Sequence, residues 1–318
     1  MSTLLLGKRD VAQLLDMGEV VRVVEQVFRD YASGCARMPA KVYIRVPKGD
    51  FRAMPAAVPN AVGVKWVNVH LSNHERGLPS IMGVLILSDP DTAYPLAIMD
   101  ATEITAYRTA ATSANASRYL ARPESRTLGL IGAGRQACMH LQSHALVFPL
   151  QKVRVYDIQR QAAEAFVRRF PQFNVEASSA EEAAMSDIVC TLTPSTAPAV
   201  KAAWIKSGTH INAVGADASG KQELDPALLC NGRVVVDDLA QACHAGEINV
   251  PLRQGLFEKE QIWATLGEII AGTKPGRRDD QEITVFDSTG LAIEDVATAW
   301  MIYQRAKERG GYQSMDIV

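Results

Sequence analysis

The ten residues LGLIGAGRQA, 128–137, constrain this chain more than any other stretch. An apolar run enters a turn spelled G-A-G-R-Q-A, and a helical segment leaves it. Gly132 permits the tight turn, Gly134 lets backbone approach a pyrophosphate, and Ala137 is small enough for close helix–strand packing. Arg135 and Gln136 fill the positions between. The helix start offers N–H groups and a positive dipole end to an anion. The next strand, VRVYD, ends in Asp157, 25 residues after Gly132. A carboxylate there accepts from ribose hydroxyls and repels the 2′-phosphate of NADP, so the pattern predicts a Rossmann-type unit that prefers NAD. Arg135 and Arg160 are near enough in sequence to receive that phosphate, which keeps NADP open.

A chain of 318 residues exceeds the size at which one hydrophobic core stops growing, so two domains are expected. Residues 9–33 carry apolar positions at helical spacing, from Val11 and Leu14 through Val24 and Phe28. Residues 41–87 change to short β-rich runs, KVYIRV, FRAMPA, VGVKWVNVH and IMGVLIL, separated by PKGD, VPNA and HERGLP. They predict an antiparallel or mixed sheet. Residues 100–120 read as a helix rich in small residues, and RPESRT at 122–127 as a linker. Strand–turn–helix rhythm follows, with THINAVGA and RVVVDD suited to parallel strands buried on both faces. A final amphipathic helix, within 284–310, can leave this domain and return to the front one. The expected fold class is α/β, a doubly wound parallel sheet over 122–289 plus an α+β domain made of 1–121 with 290–318.

Several function classes are disfavoured. A net charge of −2 without a basic stripe argues against a nucleic-acid surface. No 18-residue apolar run suggests a membrane span, and the N-terminal LLL is too short for a signal segment. Cys35, Cys138, Cys190, Cys230 and Cys243 form no C-x-x-C pair, which points to a reducing, cytoplasmic setting rather than disulfides or zinc. His70 and His74 have the nominal spacing of a helical metal pair, but LSN between them reads as strand end and turn, so no metal is expected. There is no G-x-S-x-G elbow for nucleophilic hydrolysis.

GVKWVNVH (63–70), ERGLPS (75–80), DATEITAYRTAATSANASRYLAR (100–122), GAGRQA, THINAVGADASGKQELD (209–225), VVVDD (234–238), GEI (246–248) and FDSTGLAIEDVATA (286–299) together resemble the ornithine cyclodeaminase/mu-crystallin family. The resemblance spans nearly the whole chain and looks nearest to the branch of archaeal-type alanine dehydrogenases. It implies a mid-chain Rossmann domain, an N-terminal substrate domain that pairs into a homodimer, and NAD(P) facing an α-amino or α-imino acid.

Residue by residue, the resemblance places Arg108, in its RT-x-A motif, as the clamp on the substrate carboxylate, a role that suits a planar guanidinium. It places Lys65 beside the substrate as well. Independently of any family, a lysine within the apolar run GVKWVNV requires a partner or a cavity, because an unpaired buried ammonium is costly. Asp217 follows a strand predicted to be parallel, where doubly wound folds bind ligands; the family sets this acid near the substrate nitrogen, as an acid/base. Lys41 and Ser80 match weaker substrate positions. Thr193, Val214 and Ser288 are further candidate cofactor contacts. Arg52 stands where the family's cyclodeaminases carry glutamate, which favours a short substrate over a diamino acid. The leading expectation is NAD-dependent oxidative deamination of a small L-amino acid, L-alanine first, with Lys65 and Asp217 catalytic. A cyclic-ketimine reductase such as one for pyrroline-2-carboxylate is the alternative. Cyclodeaminase and non-catalytic crystallin-like binding rank lower.

Overall fold

Residues 2–318 are described by a computed structural model. Strand β1 (Thr3–Leu6) precedes helices α1 (Lys8–Leu14) and α2 (Met17–Ala32). Val20, Val21, Val24, Val27 and Phe28 form one buried stripe on α2, and the Asp16 carboxylate caps it by accepting from the Glu19 N–H at 2.9 Å. Five strands follow: β2 (Val42–Val46), β3 (Gly49–Val58), β4 (Ala61–Val69), β5 (Ile81–Ser88) and β6 (Pro95–Asp100). A 3₁₀ turn over Leu71–Arg76 separates β4 from β5, so LSN is helical rather than the plain turn expected. His74 in it bonds the Leu71 carbonyl at 2.7 Å, and His70 meets Asn68 at 3.1 Å. Helix α3 (Thr102–Leu120) ends this part.

The second part alternates strands and helices: β7 (Thr127–Ile131), α4 (Arg135–Val147), β8 (Lys152–Tyr156), α5 (Arg160–Arg169), β9 (Val175–Ala177), α6 (Ala180–Ala184) and β10 (Ile188–Thr191). It continues through β11 (Thr196–Val200), β12 (His210–Ala213), β13 (Gln222–Leu224), α7 (Pro226–Asn231), β14 (Arg233–Val236), α8 (Leu239–Ala245) and α9 (Asn249–Gln254). Strand β15 (Ile262–Thr265), α10 (Leu266–Ile270) and β16 (Thr284–Asp287) complete it. Eight of these strands form one parallel sheet in the order β15-β14-β16-β12-β10-β7-β8-β9. Strand order reverses between β7 and β10, the switch point at which doubly wound sheets open a crevice. Strands β7, β10, β12 and β14 are buried almost throughout, as a sheet covered on both faces requires, with His210, Asn212 and Arg233 among the polar exceptions to their mainly apolar side chains.

Helix α11 (Ala292–Arg309) and β17 (Ser314–Met315) return to the first sheet, whose order is β17-β1-β6-β5-β4-β3-β2. It is mixed: β1 runs parallel to β6, and the other pairs are antiparallel. Helix α11 lies against β3, β4, β5 and α2. Burial alternates along β4, with Ala61, Gly63, Lys65 and Val67 inward and Val62 and Trp66 outward.

The compact units are the residues up to Thr109 with Leu291–Val318, and Ala110–Gly290. The first division therefore falls inside α3, ahead of the 121/122 boundary read from the sequence. Two local arrangements account for that. Residues 110–117 of α3 are all buried, with Ser113 and Ser117 bonded to His140 and His144 of α4 at 2.9 and 3.0 Å. RPESRT is also no free linker: the Asp187 carboxylate accepts from Arg122, from the N–H groups of Arg126 and Thr127, and from the Thr127 hydroxyl. Among the described residues no helix is long and apolar enough to cross a membrane.

Candidate active site

In the α/β unit, a cavity of about 550 Å³ opens at the switch point, lined by Gly132, Gly134, Tyr156, Asp157, Ile158 and Thr193 among others. Gly132 has φ +107°, and a Cβ on it would stand 2.9 Å from the Leu192 carbonyl, so only glycine turns here without strain. A Cβ at Gly134 would meet nothing within 4 Å; the space above it is open for a ligand. No side chain caps α4, leaving its first N–H groups to an anion. Asp157 accepts from the Ala133 N–H and the Gln159 N–H, each at 2.9 Å, which holds its carboxylate at the rim beside the glycine turn. Gln136 Oε1 is buried without a hydrogen-bond partner among the described residues. An open glycine, an uncapped helix start and an acid at the next strand's end fit a dinucleotide with an unphosphorylated ribose.

Arg135 opens α4 on the surface, and Ala137 is buried behind it. Arg160 is exposed and pairs with Glu164 at 3.1 Å. Thr193, Val214 and Ser288 stand just past the carboxyl ends of the adjacent strands β10, β12 and β16. Val214 and Ser288 donate backbone N–H groups to Thr191 and Ala213 at 3.1 and 2.9 Å. Asp217 follows on the loop after β12 and pairs with Lys221 at 2.6 Å. Ile158 was not anticipated. Although 89 % exposed, it lines the cavity next to Asp157 and offers an apolar surface to a base.

Glu223 was also not anticipated. Its buried carboxylate accepts from Thr191 Oγ1, Thr193 N and Oγ1, and Gly215 N at 2.6–2.7 Å, tying together the exits of β10 and β12. Behind it, Glu247 accepts from the N–H groups of Glu223 and Leu224, and Asp287 from those of Glu247 and Ile248. Burial pushes all three carboxyls upward, Asp287 to about 8 with Asp237 adding to the effect, and Glu247 well above the usual carboxylate range with help from Glu223. The motifs KQELD, GEI and FDSTG contain these acids, but their donors come from other parts of the chain, so sequence spacing carries no signal for the arrangement.

The α+β unit holds a second polar centre on the inward face of its sheet. Lys65, 1 % exposed, lies 2.5 Å from Asp295 Oδ2 and donates to Thr105 Oγ1 at 3.3 Å. Arg108 donates through Nε to Asp295 Oδ1 at 3.0 Å and through Nη1 to Glu294 Oε2 at 2.7 Å. Thus Asp295 bridges both cations. Burial lowers Lys65 to about 7 against the pull of Asp295, and Arg108 and Lys41 push the same way as burial. For Arg108, burial opposes the charge, but Asp295 and Glu294 overcome it and hold the guanidinium protonated.

Family resemblance implies that Arg108 clamps the substrate carboxylate; in the structure two of its nitrogens are engaged by α11. Arg52 shares the inward face, since Arg52 pairs with Val67 and Met54 with Lys65 across β3 and β4. Its guanidinium is buried, grips Asp50 at 2.9 and 3.1 Å, and lies over the Tyr43 ring. Asp50 thus supplies a counter-charge to Arg52 within the protein. Lys41 is half-buried just before β2. Ser80 is bonded locally: its carbonyl accepts from His70 N–H at 2.8 Å and its hydroxyl donates to Leu71 O at 3.4 Å.

Together these features define a dinucleotide-binding α/β protein carrying a separate buried cation–carboxylate site. The model of the ornithine cyclodeaminase/mu-crystallin family matches residues 1–310, and the chain belongs to that family. It is 49 % identical to an alanine dehydrogenase of Archaeoglobus fulgidus over 308 residues, covering 96 % of each chain. Among solved structures it is similar to an archaeal alanine dehydrogenase dimer with bound NAD, at TM-score 0.98 and 47 % identity over 100 % of both chains. It is also similar to the Thermococcus litoralis Delta(1)-pyrroline-2-carboxylate reductase in complex with NADH and L-proline, at TM-score 0.95 and 38 % identity, covering 99 % of this chain and 100 % of that one.

Proposed function

We propose that the protein is an NAD-dependent amino-acid dehydrogenase that reversibly converts L-alanine, NAD⁺ and water into pyruvate, ammonium, NADH and a proton. The observation that carries this reading is the buried Lys65–Asp295–Arg108–Glu294 array, two cations held in place by two acids, in a chain whose other unit has a Rossmann cavity ending on Asp157. Likeness to the Archaeoglobus enzyme supports alanine in particular.

Gly132, Gly134, Arg135, Gln136 and Ala137 would hold the pyrophosphate turn, and Asp157 the ribose, with Ile158 against the base. Arg160, Thr193, Val214 and Ser288 complete the cofactor positions. Bound NAD supplies the hydride acceptor. Lys65 and Arg108 orient the substrate carboxylate and, through it, the Cα–H bond. Lys41, Arg52 and Ser80 border the same substrate. Asp217, fixed by Lys221, takes the proton the amine gives up as Cα loses hydride and the C=N bond forms. Water then adds to that carbon, and ammonia leaves.

The α+β unit also serves dimerisation on this reading. Val42, Ile44, Val62, Trp66, Val84 and Ile86 are exposed apolar side chains on its strands, which a dimer interface would cover. Sedimentation should return a dimer; a monomer at micromolar concentration would count against this assignment.

Likeness to the Thermococcus enzyme favours a second reading, reduction of pyrroline-2-carboxylate, in which Lys65 polarises the cyclic C=N. A steady-state screen separates the two. Small L-amino acids, 2-oxo acids with ammonia, and pyrroline-2-carboxylate are each offered with NAD(H) and NADP(H). The expected result is the highest kcat/KM for L-alanine with NAD⁺ and for pyruvate with ammonia and NADH. Reduction of the cyclic imine without alanine oxidation selects the second reading, and a preference for NADP(H) removes the ribose role of Asp157.

A further inference from the structure

The Asp295 carboxylate on α11 reaches cations from two other elements. Oδ2 lies 2.5 Å from Lys65 Nζ on β4, and Oδ1 accepts from Arg108 Nε on α3 at 3.0 Å. Glu294, one residue earlier, independently takes Arg108 Nη1 at 2.7 Å. Arg108 is therefore anchored by two acids, whereas Asp295 is the acid that touches Lys65. Relative exposures of 1 % for Lys65, 5 % for Arg108 and 0 % for both acids leave little water to screen these charges.

We propose that Asp295 is the positioning residue of the substrate site: it holds the Lys65 ammonium at one point above the sheet and governs whether Lys65 carries its proton. The inference rests on the reading that Lys65 acts on the substrate. A lysine stem has four flexible carbons and a point charge without preferred direction, so a buried ammonium sits where its counter-charge sits. The other groups facing Lys65 cannot do this. Thr105 on α3 contributes a neutral hydroxyl at 3.3 Å, and the cross-strand neighbours Met54 and Leu85 are apolar. Arg108 and Lys41 are like charges that oppose protonation. With Asp295 neutral, a protonated Lys65 faces burial and two cations, with Glu294 already bound to Arg108. It then releases its proton at lower pH.

That prediction has one sign whichever form of Lys65 the reaction uses. If the ammonium is active, the alkaline limb of the kcat/KM profile moves to lower pH in Asp295→Asn; if the free amine is active, the acid limb does. The Lys65 midpoint can be read without turnover in the full chain carrying ¹³Cε-lysine, the Lys65 resonance being identified by its loss in Lys65→Met. Asp295→Asn should lower that midpoint by at least about one pH unit, the scale of a close opposite charge. Asp295→Glu, which keeps the charge, should return it toward the wild-type value, and the pH profile of alanine oxidation should move in parallel. An unchanged Lys65 titration in folded Asp295→Asn overturns the proposal. If Asp295→Asn does not fold, the double variant Lys65→Met/Asp295→Asn should, because the ammonium stranded without its acid has been removed; failure of the double variant overturns it equally. A wild-type chain inactive on every substrate of the screen would instead overturn the catalytic reading, while the titration still decides what governs the Lys65 proton.

Discussion

Lys65→Met is expected to remove turnover, with kcat/KM for L-alanine falling on the order of 10²–10⁴-fold, the range for losing a group that acts on charge in the transition state. Methionine keeps the length and apolar stem of the side chain but neither binds a carboxylate nor polarises a carbonyl or imine. NADH binding, followed by protein fluorescence, should be unchanged, because the residues proposed to hold the dinucleotide all belong to the α/β unit. Folding should survive as well. Asp295 keeps Arg108 as a partner at 3.0 Å, and the cost of a buried ammonium disappears. The pH dependence of stability supplies a second signature. Lys65 falls from 10.5 to about 7 on folding, so between those values the unfolded chain binds more protons at this group than the folded one. Its contribution to stability therefore rises with pH across that window, and the rise should be missing from Lys65→Met. A variant within tenfold of wild-type kcat/KM would sink the assignment of Lys65 to the chemistry.

Arg108→Met should have the largest effect on stability, a loss of about 3–5 kcal/mol, as expected for stripping one partner from a buried ionic cluster. Glu294 and Asp295, both 0 % exposed, would lose the guanidinium that bridges them, while Asp295 keeps Lys65. Urea unfolding measures this directly. Arg108→Lys should fall between, because a single ammonium cannot reproduce the fork that meets Asp295 through Nε and Glu294 through Nη1. A loss below about 1 kcal/mol, ordinary for a surface change, would mean that the cluster is not held together by Arg108.

How much was legible beforehand depends on how local each signal is. The cofactor turn was legible because its parts are neighbours in sequence: strand, G-x-G-x-x-A, helix, next strand, acid. Backbone geometry places Gly132, Gly134 and Asp157 together whatever the rest of the chain does, and they line one cavity. Lys65 was half legible. An ammonium in GVKWVNV must have a partner, and that follows from solvation alone. Which acid supplies it does not follow, because Asp295 arrives on the last helix from the other end of the chain. Arg108 was read as a substrate clamp, yet Glu294 and Asp295 grip it within the protein. Glu223 was illegible for a related reason: its four donors come from three residues on two strand exits.

By itself, then, the sequence determined the β-rich texture of 41–87, the doubly wound order to be expected after residue 127, the acid at the end of the second Rossmann strand and the demand for charge compensation at Lys65. Each rests on short-range rules of periodicity, turn chemistry and desolvation. Tertiary structure decided the identity of the compensating acids, the nested carboxylates behind Thr193, and a unit boundary inside α3. Those depend on which surfaces meet across the fold, and burial makes the meeting consequential: the charges brought together there are unscreened, so partners distant in the chain govern one another's protonation.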